Sequence, residues 1–345
     1  MTRPDITVLG AGIFGLAVAW ACVQKGARVQ VIDPAGPGAG TSGGLVGALA
    51  PHVPENWNDK KAFQLDSLLM AEGFWAGVAA VSGIEAGYAR LGRLQPIADA
   101  RALARAHARA ETAKLLWRGA AVWQVIAPPA QGWSPASPTG QLIHDTLSAR
   151  LNPRRACASL AAALHARGAQ LLKEGKAEGK VVHATGVAGL EELSRAMGRA
   201  VGDGEKGQAA LLHFAAPESP QMFADGVLIV PHEDGTTAIG STSERAYDDP
   251  ASTDDKLDEV IERAMRALPV LHGARVIDRW AGLRPRARSR APMLGEHPLH
   301  PGEYIANGGF KIGFGMAPKV GQVMADLVLD GVDAIPEGFR PEASL

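Results

Sequence analysis

Apolar residues recur along this chain with two periods, and the first unit shows both. Ile6–Leu9 is a short β-branched run suited to a strand. Residues 13–25 carry apolar side chains at helical spacing and stop at Gly26, and 28–32 read as a second strand ending on Asp33. Helical spacing returns at 61–81, 99–117 and 154–167, the last introduced by Asn152-Pro153 and closed by Gly168. Between them 89–97, 169–172 and 180–184 read as strands, while 127–138, with four prolines, reads as a loop or a crossing between domains. From Gln208 the period shortens to that of a strand, through QAALLHF and GVLIVPHEDGTTAIGSTSE, with Glu233-Asp234-Gly235 as a hairpin turn. Residues 254–268 form an amphipathic helix, 276–280 and 283–289 are extended, and Tyr304–Asn307 is a strand followed by the glycine turn GGFKIGFGMAP and a helix over about 317–329.

The turn after the first strand carries the candidate chemistry. Gly10, Gly12 and Gly15 stand in G-x-G-x-x-G spacing between a strand and a helix. Gly10 allows the tight turn, Gly12 leaves room for a pyrophosphate, and Gly15 lets the helix pack closely on the strand. The positive helix end then faces the phosphates. Asp33 lies 18 residues past Gly15 (33 − 15), where its carboxylate can accept hydrogen bonds from ribose hydroxyls. An acid there argues against a 2′-phosphorylated nucleotide and fits FAD or NAD. Gly202, Gly204 and Gly207 repeat the template in GDGEKG, but no apolar strand precedes them, so that copy reads as a loop.

Thr41 and Ser42 can offer hydroxyls to phosphate, and Gly43, Gly44 and Gly47 let backbone approach a flat ring. Leu45, Val46, Leu49 and Ala50 make this stretch too apolar for a flexible linker, so it reads as a ligand loop. His52, just beyond, is read as structural. The strand ending in Thr185-Gly186 is a modest sign of backbone returning beside a dinucleotide.

At 345 residues the chain is expected to form two structural domains. A net charge of −1 gives no overall pull toward nucleic acid or anionic membrane. Cys22 and Cys157 have neither metal-ligand spacing nor the number for a disulfide framework, so no metal site is expected and a reduced, cytoplasmic setting is the default. The apolar run 6–23 behind Arg3 resembles an export signal, but its glycine spacing and following strand fit a buried strand and helix better. Arg101, Arg105 and Arg109 form one basic helical face, read as solvated. Arg284, Arg286, Arg288 and Arg290 alternate and would share one side of a strand, where one of them facing a substrate carboxylate is the natural suspicion.

Taken in order, VLGAGIFG with Asp33, TSGGLVGALAPH, NPRRACASLAAAL, VVHATG, LIVPHEDGTTAIGSTSE, RWAGLRP, PMLGEHP and IANGGFKIGFGMAP give the chain a family resemblance over nearly its full length. It resembles the D-amino acid oxidase superfamily of FAD-dependent oxidoreductases, in particular the glycine oxidase and sarcosine oxidase branches. The resemblance implies an α/β fold: a Rossmann-like FAD-binding domain (1–85, 140–206 and 283–345) interleaved with an α+β substrate domain (86–139 and 207–282) on a mostly antiparallel sheet. It implies that FAD is held by Gly10, Gly12, Ile13, Phe14, Gly15, Asp33, Thr41, Ser42, Gly43, Gly44 and Val46 from the first half. Thr185, Gly186, Gly309, Lys311, Ile312 and Gly313 complete the set.

It further implies oxidation of an amine or amino acid by hydride transfer to flavin N5, with the imine then hydrolysed and no obligatory side-chain base. Arg284 aligns with the arginine that holds the substrate carboxylate in glycine oxidases, and Lys311 with the carboxylate-binding lysine of the sarcosine oxidase GFK motif. Leu228 and Ser243 replace a tyrosine and a methionine of the glycine oxidase pocket, and Ala238 replaces the oxygen-activating lysine of sarcosine oxidases. Gly282 and Leu283 fall where sarcosine oxidases join a cysteine to FAD, so non-covalent FAD is expected. Electrons would pass on to oxygen or to an electron carrier.

Three other readings stay open. GALAP, GSTSER and R-x-R-x-x-APMLG resemble the FAD domain of the tRNA wobble-uridine carboxymethylaminomethyl oxidoreductase, in which the arginines would meet RNA phosphates. An NAD-dependent dehydrogenase and a non-enzymatic flavoprotein are the others; the absence of a second nucleotide motif argues against NAD(P)H as co-substrate.

Overall fold

The first βαβ unit shows why the amino-terminal run is so apolar. In the computed structural model, which describes residues 3–129 and 132–345, β1 (Ile6–Leu9) leads into α1 (Ile13–Gln24) and then β2 (Val29–Ile32). α1 buries Ile13 through Trp20 and also Cys22, so nearly its whole circumference is interior. Its 12 residues fall well short of the ~20 needed to span a bilayer. Among the described residues no helix is long and apolar enough to cross a membrane.

The chain continues through β3 (Ala48–Leu49), α2 (Asp59–Ser82), β4 (Arg93–Pro96), α3 (Ala100–Leu116), β5 (Trp123–Ile126), β6 (Leu142–Asp145) and β7 (Ala149–Arg150). α4 (Pro153–Ala166), β8 (Gln170–Leu172), β9 (Lys180–His183) and α5 (Gly186–Met197) complete the first half. Then come β10 (Gly202–His213), β11 (Gln221–Ala224), β12 (Val227–Pro231), β13 (Thr237–Gly240) and α6 (Asp255–Ala267). β14 (Arg275–Ala287), β15 (Met293–Glu296), β16 (Tyr304–Asn307) and α7 (Gly313–Ala325) close the fold.

These elements form two large sheets. One has six strands in the order β15-β16-β9-β1-β2-β8, parallel except for the β15–β16 hairpin. The other has eight, β14-β10-β13-β12-β11-β4-β6-β5, antiparallel except where β4 meets β11. The parallel sheet is the Rossmann-like part of the α/β fold. β10 and β14 run unbroken across residues 206/207 and 282/283, and β6 lies in the eight-stranded sheet.

Several expectations need correction. GDGEKG is not a loop: it opens β10 and pairs with β14, Gly207 opposite Gly282. Its polarity hid the strand, because the glycines there serve close packing rather than a turn, Gly204 lying against Leu283. The two extended segments at 276–280 and 283–289 are one strand, β14. Arg284 and Arg286 share a side of it, but the strand ends at Ala287, and Arg290 sits in a turn at φ 59°, so there is no four-arginine row. The last helix begins at Gly313, four residues before the expected 317, with Pro318 inside it. A helix at Gly186–Met197 follows VVHATG where none was expected. Residues 130 and 131 of the proline-rich loop lie outside the described residues.

α1 and α7 pack together at glycine. A methyl on Gly321 would sit 2.6 Å from the Ala17 carbonyl oxygen. At an exposed helical site Gly→Ala gains about 1 kcal/mol. Here Gly321→Ala should instead cost about 1–3 kcal/mol through overpacking, read as a fall in the urea midpoint.

The hairpin turn holds His232, 2% exposed, with Nδ1 3.3 Å from the Thr236 hydroxyl. Burial pushes its pKa down to about 4, against the pull of Asp234. The unfolded chain, titrating near 6.5, takes the proton first, so stability present above about pH 6.5 is lost as pH falls toward 4. The loss should be on the order of 3 kcal/mol, and His232→Gln should flatten that part of the urea-midpoint profile.

Candidate functional site

One cavity opens beyond the carboxyl ends of the parallel strands, the usual place for a ligand in an open α/β sheet. Gly10, Gly12, Phe14 and Asp33 line it from the β1 and β2 ends, Thr41, Ser42 and Val46 from the following loop, and Thr185 and Gly186 from beyond β9. Asn307, Gly309, Lys311 and Gly313 enter from the turn after β16, and Ala209, Ser241, Trp280 and Arg284 from the second sheet.

The glycine turn is built for close approach. Gly10 holds φ 105°, and a methyl there would strike the Ala184 carbonyl. The Ala11 N–H donates to Asp33 Oδ2 at 2.7 Å and the Ala35 N–H to Oδ1 at 2.9 Å, which fixes the carboxylate at the end of β2. The Gly36 N–H also reaches Oδ1, at 3.3 Å; an ionised carboxylate has about four acceptor sites, so one remains for a ribose hydroxyl. Ser42 Oγ accepts the Ile13 N–H at 2.9 Å, leaving its own hydroxyl hydrogen to donate.

The helix ends fall into two groups. α2, α3, α4 and α6 are capped by the side chains of Asn58, Asp99, Asn152 and Asp254. The N-cap residues of α1, α5 and α7 supply no side-chain cap, and none of the three has an acid in the first turn. Their first residues line the cavity at Gly12-Ile13, Thr185-Gly186 and Gly313, where the Asn152-capped α4 also brings Pro153, which has no N–H to offer. The positive ends of α1, α5 and α7 converge on one space, which therefore suits a polyanion, with the Ile13 N–H of α1 already taken by Ser42 Oγ. The residues present fit a dinucleotide pyrophosphate.

At the other end the cavity is cationic. Arg284 is only 9% exposed; its Nη2 donates to Ser241 Oγ at 2.7 Å and its Nη1 to the Thr242 carbonyl at 3.2 Å. The guanidinium lies where a side chain on residue 207 would be, so Gly207 bares the space it occupies. Burial pushes its pKa down to about 10, against Glu205 and Glu244, and it stays charged at neutral pH. Lys311 Nζ donates to Ser243 Oγ at 2.6 Å, lies 3.4 Å from Glu205 Oε1 and stands over the Phe310 ring. Burial, with the Arg284 charge nearby, pushes Lys311 down, and Glu205 pulls it up. Burial works to raise Glu205, but the Ser243 hydroxyl, Lys311 and Arg286 outweigh it and hold its carboxyl below the usual range.

Of the residues expected from the sequence, Gly10, Gly12, Ile13, Phe14, Asp33, Thr41, Ser42, Gly44, Val46, Thr185, Gly186, Gly309, Gly313, Arg284 and Lys311 share this cavity. Gly15, Gly43 and Ile312 do not line it. Gly15 and Gly43 lie against the carbonyls of Gly10 and Gly38, and Ile312 is the N-cap of α7. Leu228, Ala238, Gly282 and Leu283 are also off the wall, and among the described residues no cysteine is on it. Arg109 is paired with Glu55 at 2.5 Å, while Arg101 and Arg105 face solvent.

Sequence reading missed Trp280, Ser241, Asn307 and Phe310. The Trp280 ring covers the places where methyls on Gly44 and Gly282 would lie. Asn307 Nδ2 donates to the Gly186 carbonyl at 2.9 Å, tying the β16 turn to the start of α5. Gly282, two residues from Trp280 on one strand face, was the one local signal.

Fold and site together define an α/β protein whose cavity fits a dinucleotide and is cationic at one end. The model of the FAD dependent oxidoreductase family matches residues 5–327, and the chain belongs to that family. Glycine oxidase of Pseudomonas putida (strain KT2440) is 37% identical over 143 residues, 41% of this chain and 39% of that protein. The chain likewise matches 54% of the bifunctional ThiO/ThiG protein of Synechocystis, so it spans less than two thirds of these relatives. Among solved structures, glycine oxidase from Geobacillus kaustophilus superposes with TM-score 0.83 at 21% identity, covering 99% of this chain and 98% of that one.

A side chain at Gly12 would enter the phosphate end while meeting only the Ser42 hydroxyl, at 3.3 Å from its Cβ. Gly12→Val should therefore fold but bind FAD about 100-fold or more weakly, about 2.7 kcal/mol, by fluorescence titration of the apoprotein.

Proposed function

We propose that this enzyme, with FAD held non-covalently, oxidises the C–N bond of an amino acid or small secondary amine of the glycine, sarcosine or D-amino acid type. The observation that carries the reading is Arg284, a buried guanidinium on the cavity wall with Lys311 beside it on the same wall. A guanidinium has five N–H donors, and two protein acceptors leave enough for a carboxylate.

Bound FAD supplies a two-electron acceptor for hydride from the carbon next to the amine, and the resulting imine hydrolyses in water. The chain's own residues bind and orient. Arg284 and Lys311 fix the carboxylate and so the carbon to be oxidised. Their charges also disfavour the ammonium form of the amine, so more of it is neutral, as loss of hydride requires. Trp280 and Phe310 give the cavity apolar wall. Absence of cysteine from the wall supports non-covalent FAD, and two buried, unpaired thiols support a cytoplasmic setting. Oxygen or an electron carrier then reoxidises the enzyme.

Arg284→Ala should raise KM for a carboxylated amine about 10-fold or more, since a charge-assisted bond is worth about 1.5–3 kcal/mol. Gly207→Ala, which keeps the charge but pushes the guanidinium aside, should act in the same direction with flavin content unchanged. An amine lacking a carboxylate should be spared by both; an equal loss there would show that Arg284 does not read the acid group. Steady-state kinetics with sarcosine and N-methylethylamine makes the comparison.

A further inference from the structure

Residues 309–311 form a wall between two cavities. On the far side His52, Lys60, Glu205, Arg245, Arg286 and Arg290 line a second space, and Lys311 belongs to both. Five cations (Lys60, Arg245, Arg286, Arg290 and Lys311) thus face one carboxylate, Glu205. That carboxylate is already shared: it lies 3.4 Å from Lys311 and 3.8 Å from Arg286, and accepts from Ser243. Lys60 donates only to the Arg290 backbone carbonyl. Among the described residues, Arg245 and Arg290 have no carboxylate partner.

Such clustering costs free energy unless solvent or an anion meets it; Arg245 and Arg290 reach solvent, whereas other cations of this chain hold carboxylates, as at Arg28–Asp5, Arg93–Asp145 and Arg340–Asp333. The backbone is also strained here. Arg290 and Phe310, neither of them glycine, hold φ at 59° and 44°, and both line this second cavity. The turn at Phe310 sets its ring between two of the cations, 5.9 Å from the Arg286 guanidinium and 5.0 Å from the Lys311 ammonium.

We infer that the substrate is a secondary amine whose nitrogen carries an arm ending in a second anionic group, carboxylate or phosphate-like. Its α-carboxylate meets Arg284, and the arm passes Lys311 into the second cavity. The inference rests on C–N oxidation at the first cavity and narrows it to doubly anionic substrates. Arg245 and Arg290 are then specificity residues that reach the end of the arm.

The test uses the FAD-loaded enzyme under anaerobic conditions, with flavin reduction followed against concentration. Sarcosine, N-propylglycine, N-(2-carboxyethyl)glycine and N-(2-phosphonoethyl)glycine are compared, the last two separating a carboxylate arm from a phosphate-like one. At least one charged arm should bind about 10-fold or more tightly than the neutral propyl arm, with the preference shrinking as salt is added. Arg245→Ala with Arg290→Ala should bring the ratio of charged to neutral arm close to one, and the corresponding double Lys variant should restore much of it. Calorimetry with the thioether 3-(carboxymethylthio)propanoate, which has no amine to oxidise, should show the same dependence on the two arginines.

Equal affinity for propyl and charged arms, or a preference that survives the double Ala variant, overturns the inference while leaving amine oxidation standing. Thioether binding lost in the double variant, with no amine reducing the flavin, supports the anion site and overturns the C–N reading instead. Salt-sensitive tRNA binding lost in the double variant, without any preference among the small amines, assigns these arginines to RNA phosphates and overturns the inference.

Discussion

Three helices whose N-cap residues supply no side-chain cap end on the same space, and much of the structure follows from that constraint. Four other helices are closed by Asn or Asp side chains. Leaving α5 and α7 without a cap sacrifices about 1 kcal/mol at each, while at α1 Ser42 takes the Ile13 N–H. The convergence also brings like ends of helix dipoles together. The packing beneath must hold them there: α1 is buried on nearly every side, and glycine at 321 lets α7 approach its backbone. An anion spanning the three ends would relieve both costs, which ties the cavity to the apolar core beneath it.

The second sheet brings the opposite problem, cations in place of open N–H groups. β10 and β14 pair over their full lengths, and the pairing sets Glu205 opposite Arg284 and Asp203 opposite Arg286. Arg284 is buried with only neutral acceptors in direct hydrogen bond, an arrangement that favours a carboxylate ligand over an empty site. Glu205 reaches toward Lys311 and Arg286, so one acid moderates the charge between the two cavities. The six-stranded sheet thus presents the end with the glycine turn and the eight-stranded sheet the cationic end, with the turn at 309–311 belonging to both.

His52 shows how modest a role a suggestive residue can have. It lies beside the second cavity, yet its ring nitrogen is engaged by the Gln64 side chain and burial lowers its pKa. The helix face bearing Arg101, Arg105 and Arg109 is similarly ordinary, with its best-placed arginine tied to Glu55.

The amino-terminal turn was legible in the sequence because its signals are local: a strand, three glycines at fixed spacing, a helix and an acid within a few dozen residues. Fifteen of the site residues expected from the chain do share one cavity. The same locality misled at GDGEKG, where a polar, glycine-rich stretch reads as a loop. Pairing with β14 makes it a strand, and glycine is needed at 207 because Arg284, distant in sequence, occupies the space. Trp280, Ser241 and the second cavity were likewise decided by the tertiary structure alone. Residues 60, 205, 245, 286, 290 and 311 come from separate stretches of the chain, and no periodicity or spacing records that packing brings five charges of one sign around a single carboxylate.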